Sequence, residues 1–188
     1  RFFNTVMNLN LSNRDIAILR ARTEGWIAGL QLAALSMQGH SDPSVFIRAF
    51  AGDDRLIVDY LVEEVLNLQS ANVQEFLLHT SILNRLSEPL CDHVTNRQGS
   101  QKILEDLEKA NLFLVPLDNK RNWYRYHHLF ADLLRQRLKQ KEQDMVSRLH
   151  IKASEWLESN DFKEGAIEHA LAANEFERAA HLIEEYIS

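Results

Sequence analysis

The chain has 188 residues, 45% hydrophobic and 26% charged, with a formal net charge of −6. That balance suits one large or two small cores, and the negative charge disfavours nonspecific binding to nucleic acid or an anionic membrane. Six glycines, three prolines and one cysteine, Cys91, favour helices and exclude an intrachain disulfide or a cysteine-rich zinc site. No apolar run approaches the ~20 residues needed to cross a bilayer. The chain starts at Arg1 with no signal-like stretch, so the expectation is a piece of a longer cytoplasmic protein.

Residues 1–69 read as a helical module. Ser12 is placed to cap a helix, with Asp15 in the position of a capping-box acid. Ile16, Leu19 and Arg20 follow at helical spacing. Trp26, Leu30, Ala33, Ala34 and Met37 form a second stripe, Ser41-Asp42-Pro43 starts a third helix, and Leu56 to Leu68 carries a fourth.

Residues 70–141 read as three helices, a hairpin and a further helix. Val73, Phe76, Leu77 and Thr80 fit the first helix; Ser87 and Ser100 are the expected caps of the next two. Leu112–Leu117 and Trp123–Tyr126 are apolar runs around a polar tip, the pattern of a β-hairpin. This order is that of a winged helix. Its recognition-position helix, Ser100–Ala110, carries Lys102 and Lys109 against Glu105, Asp106 and Glu108. A groove-reading helix is basic and offers Arg, Asn or Gln to base edges, so direct DNA binding is not expected.

Residues 142–188 read as the start of a tetratricopeptide-like array. Leu149, Ala153, Trp156 and Leu157 line one helix. Phe162 with Ala166, and Phe176 with Ala180, recur at one offset: alanine for close helix contact, phenylalanine as a wedge in the turn. An unfinished array leaves Phe176, Ala179, Ile183 and Tyr186 as an apolar end, so self-association is expected.

None of the eight histidines forms an H-x-x-x-H or H-E-x-x-H pattern, and no phosphate loop or nucleophile elbow occurs. No metal site or catalytic residue is expected. Gly25-Trp26-Ile27-Ala28-Gly29 is the one glycine-dense spot and reads by itself as a helix–helix contact. The most informative stretch is Asn122–Leu134, where an aromatic run enters a helix with His127 and His128 at the junction. A helix start suits an anion, and histidine adds a donor that titrates near neutrality. The same pair also reads as polar residues at a strand–helix corner.

Four stretches carry a family resemblance: Arg22–Ala33; Ala110–Phe113 with Pro116-Leu117-Asp118; Tyr126-His127-x-Leu129-Phe130; and Ala153-x-x-Trp156-Leu157 followed by Glu168–Ala173. Together they resemble the middle region of MalT-type, LuxR-family ATP-dependent transcriptional activators, which belong to the STAND signal-transducing ATPases. The resemblance implies a mainly α chain: a helical module after a nucleotide-binding domain, then a winged helix, then the beginning of a repeat sensor. It implies a switch that holds ADP at rest and opens with ATP and a small-molecule or protein inducer. The fragment itself would hold no cofactor, and the whole protein would be a slow ATPase. Gly25, Trp26 and Gly29 fall where relatives carry a Gly-x-Pro motif near the adenine, although no proline stands here. His127 aligns best with the histidine that meets the ADP β-phosphate, and His128 is the runner-up. The other readings are a helical-repeat interaction scaffold and a DNA-binding winged helix.

Overall fold

The computed structural model describes residues 11–22, 66–110 and 112–187. The chain divides into two compact units, Arg1–Glu64 and Val65–Ser188. In the first, α1 spans Asn13–Arg22 and starts as the sequence predicts. Ser12 Oγ accepts from the Asp15 amide at 3.2 Å, and Asp15 Oδ2 accepts from the Ser12 amide at 3.3 Å. Leu19 is buried. Gly25, Trp26, Gly29 and the stripes expected between positions 26 and 65 lie outside the described residues.

In the second unit, α2 (Ala71–Thr80), α3 (Glu88–Thr95) and α4 (Ser100–Lys109) precede the hairpin β1 (Leu114–Pro116) and β2 (Tyr124–Tyr126). Then come α5 (His128–Lys141), α6 (Gln143–Ser159), α7 (Lys163–Ala172) and α8 (Phe176–Ile187). Leu68, assigned to the fourth stripe, is instead 71% exposed, because the chain turns there; Leu66 is the buried residue.

The caps depart from expectation in an instructive way. Ser70 caps α2 by accepting from the Val73 amide. Ser87 stands at the α3 start, but its hydroxyl is buried and makes no capping bond. Ser100 is the first residue of α4, one place too late to cap it. Gly99 holds the cap position with φ of 80°, where a side chain would be strained. The Asp92 carboxylate supplies the missing acceptor: Oδ1 takes the Ser100 amide at 2.9 Å and Oδ2 the Gly99 amide at 3.1 Å. A carboxylate there also suits the helix dipole. Asp92→Ala is expected to cost about 1 kcal/mol, read from the urea midpoint; an unchanged midpoint would contradict this role.

The hairpin pairs Leu114 with Tyr126, Val115 with Arg125 and Pro116 with Tyr124. Tyr124 turns its own amide and carbonyl away from Pro116 to Leu86, with both bonds at 2.8 Å. Proline therefore sits where its missing N–H costs no ladder bond. At the tip, Asp118 accepts from the amides of Lys120, Asn122 and Trp123, which fixes the turn. Three helices and a hairpin make the winged helix expected from the sequence.

One residue, Glu142, separates α5 from α6, and its carboxylate meets His79 of α2 at 3.0 Å. Within the repeat helices, Ala153 of α6 and Ala166 and Ala170 of α7 are fully buried, so the two backbones run close. A Cβ on Gly165 would come within 3.2 Å of Leu157. The expected second copy of this pattern is out of phase: Ala180 is exposed and Ala179 is buried. The cause is helix register. α7 begins one residue after Phe162, whereas α8 begins on Phe176 itself, so the same offset points about 100° away. Phe162 and Phe176 are 43% and 65% exposed, so neither is a buried wedge. Phe162 stacks on Trp156 at 6.0 Å and meets Trp123 edge to face at 5.4 Å. Ile183, Tyr186 and Ile187 are exposed as the unfinished-array reading requires, whereas Ala179 is not part of that face.

Candidate functional site

The strand–helix corner is built without glycine or proline. β2 ends at Tyr126; the His127 amide donates to the Phe113 carbonyl at 2.7 Å, and the Ala131 amide donates to the His127 carbonyl at 2.9 Å. His127 is thus both the last ladder residue and the cap of α5. Its φ of −59° and ψ of 137° are extended values that bend the chain into the helix.

Phe113 makes the other half of the corner. It adopts φ of 58°, unusual for a bulky side chain, and is buried. Its ring stacks on Phe130 at 4.8 Å and meets His127 edge to face at 6.4 Å. Tyr126 closes the core side. Thr80 Oγ1 donates to the Phe76 carbonyl and lies 2.7 Å from the Tyr126 hydroxyl, so the phenol donates to threonine. Burial pushes the Tyr126 phenol above its usual range, against the Thr80 bond that lowers it.

The structure brings His127 and His128 together, with rings stacked at 4.5 Å and 28°. They differ in access: His127 is 2% exposed, and His128 is half-buried. The first turn of α5 holds no acidic residue, and no side chain caps it. The N-terminal charge of this 14-residue helix is therefore not met by a carboxylate of its own first turn. Phe113 and Thr80 are the site residues that residue-by-residue reading missed. Thr80 was visible only as a helix position, and a left-handed phenylalanine has no sequence signature.

A second histidine pair lies in the repeat helices. Nδ1 of His150 and Nδ1 of His169 are 2.8 Å apart, so one donates and the other accepts. Burial and the neighbouring His150 push His169 down to about 4. Burial, then Arg135 and Lys139, lowers His150. The unfolded chain takes up these protons near pH 6.5, while the folded chain resists until lower pH. The stability from the neutral pair is complete above about pH 6.5 and is lost as pH falls toward about 4. The urea midpoint is expected to drop across that window; an identical pH slope in His169→Gln would contradict the assignment.

Among the described residues no helix is long and apolar enough to cross a membrane, and no group of three metal-binding side chains occurs.

Residues 62–146 match a family described as the MalT winged helix domain. The match runs from before α2, through the hairpin and α5, into the start of α6. Outside the matched residues the similarity continues. The chain is 35% identical over 182 residues to serine/threonine-protein kinase PknK of Mycobacterium tuberculosis, which covers 97% of this chain and 16% of the kinase. It is 36% identical over 177 residues to HTH-type transcriptional regulator MalT of Klebsiella pneumoniae, 93% of this chain and 20% of the regulator. MalT of Yersinia pestis is 34% identical over the same length. The chain thus spans a fifth or less of the length of these curated relatives. The described helices and hairpin give the mainly α fold with a winged helix that the sequence resemblance implies.

Proposed function

We propose that this chain is the regulatory middle of a signal-dependent switch, coupling the ADP or ATP state of an adjacent nucleotide-binding domain to inducer sensing by helical repeats. The carrying observation is the corner itself: two stacked histidines at the start of α5, a helix with no acid in its first turn. That donor set fits an anion such as a phosphate. His127 would hold it and His128 would assist. α5 then runs through Glu142 into α6, so the corner and the first repeat helix share one path of packed chain. The two kinds of relative support this reading: one is named a kinase and the other a transcriptional regulator, so the shared stretch is not what sets their different outputs. In this reading the segment carries no phosphate loop of its own, its partners are the nucleotide domain and an inducer, and self-association follows opening. Gly25, Trp26 and Gly29 remain candidates for the adenine side. The deciding measurement is ADP affinity of the whole protein with His127 replaced.

The DNA-binding alternative loses support from side-chain pairing. On α4, Lys102 meets Asp106 at 2.9 Å and Lys109 meets Glu105 at 3.7 Å; on the wing tip, Arg121 meets Glu108 at 3.0 Å. These cations are already partnered by acids of the same surface. Duplex DNA is expected to bind weakly and without sequence preference at physiological salt. Tight, sequence-selective retardation in a gel-shift assay would overturn that.

A further inference from the structure

We propose that the cleft between the wing and the repeat helices binds a small organic cation carrying an aromatic or alkyl body. The cleft has a volume of about 700 Å³, within the range of small-molecule sites, ~300–1,000 Å³. Both sides of the winged-helix and repeat boundary line it. Leu83 and Leu90 come from the winged helix, and Leu157 comes from α6. Trp123 and Phe162, in edge-to-face contact at 5.4 Å, supply an aromatic wall, and Tyr186 of α8 supplies another. An apolar floor between aromatic walls takes a ring or an alkyl chain.

The charges choose the head group. Asp161, Glu164 and Glu168 line the cleft against Arg85 and Lys163. His169, also in the lining, is held neutral at pH 7 by its burial and by His150. Acid is therefore in excess. The cleft also contains an internal stand-in for the guest. Lys163 Nζ lies over the Tyr186 ring, 5.9 Å from its centroid, and the Tyr186 hydroxyl donates to Glu164 at 3.4 Å. An ammonium on an aromatic face beside a carboxylate is the chemistry that recognises amines. Lys163 is exposed on a long alkyl stem, so a ligand ammonium can take its place while the lysine turns to solvent.

Displacement gives a test with a sign. The probes are 2-phenylethylamine, 2-phenylethanol and 3-phenylpropionate, which share a ring and differ in head-group charge. Binding to the 188-residue chain is measured by calorimetry at neutral pH. The amine is expected to bind tightest, about tenfold above the alcohol, with the carboxylate weakest. Lys163→Gln, which removes the competing cation, is expected to tighten the amine about three- to tenfold. Glu168→Gln is expected to weaken it by a similar factor. Both positions are exposed, so the fold is kept, as circular dichroism will show. No binding of the amine at millimolar concentration, preference for the carboxylate, or a weaker amine in Lys163→Gln would each overturn the proposal.

Discussion

ADP is expected to bind the whole protein about one to two decades more weakly when His127 is replaced by alanine. A hydrogen bond to a charged group contributes roughly 1.5–3 kcal/mol, which sets that range. The fold should survive the change, because the corner is held by the His127 amide and carbonyl, which alanine keeps. What is lost is an imidazole packed between His128 and Phe113. If ADP favours the closed resting state, its weaker grip also raises inducer-independent activity, since a ligand shifts an equilibrium only by its differential affinity for the two states. His128→Ala should do less. The measurement is ADP affinity of both variants alongside their thermal melts. Unchanged affinity in a well-folded His127→Ala protein would remove the nucleotide role from this corner. A stability loss with affinity preserved would make His127 a corner residue only.

Phe130→Ala is expected to destabilise the Val65–Ser188 unit by about 3–5 kcal/mol. The ring is 0% exposed, stacked on Phe113 at 4.8 Å and edge to face with Tyr126 at 5.9 Å. Its removal leaves a cavity where β2 hands over to α5, and Phe113 loses the contact that rewards its left-handed backbone. Against a typical domain stability of about 5–15 kcal/mol the loss is a large share. Phe130→Leu, which nearly conserves volume, should cost about 1.5 kcal/mol or less. Equilibrium urea unfolding of the three proteins gives the comparison. Equal losses for alanine and leucine would show that cavity formation is not the governing term.

Local signals carried much of this fold. The Ser12 and Asp15 box, the α2 stripe, the polar turn at Asp118 and the start of α5 at His128 all depend on residues a few positions apart, and spacing reveals them. Cooperation over longer stretches stayed hidden. Asp92 caps α4 from eight residues away, while Ser100 is the first residue of that helix and Ser87 stands at the α3 start without a capping bond. The one-residue phase change that buries Ala179 in place of Ala180 depends on where α8 begins, which the repeated Phe-x-x-x-Ala spacing does not encode. At the site, the two histidines were visible as a pair. Their unequal burial was not: Phe113, left-handed just before the hairpin, sets its ring edge to face against the buried His127, a contact between residues fourteen apart.

The single residue between α5 and α6 also bears on how such a stretch is inherited. A cut at Glu142 would sever the tie to His79 and strip the Trp123–Phe162–Trp156 ladder of one side. Neither half would keep its own surface. The similarity to the kinase and to the regulator runs through that point, over 97% and 93% of the chain. Packing of this kind ties the winged helix to the helices that follow it. Separating them would leave two halves with newly exposed apolar surface, in keeping with a similarity that runs unbroken across both relatives.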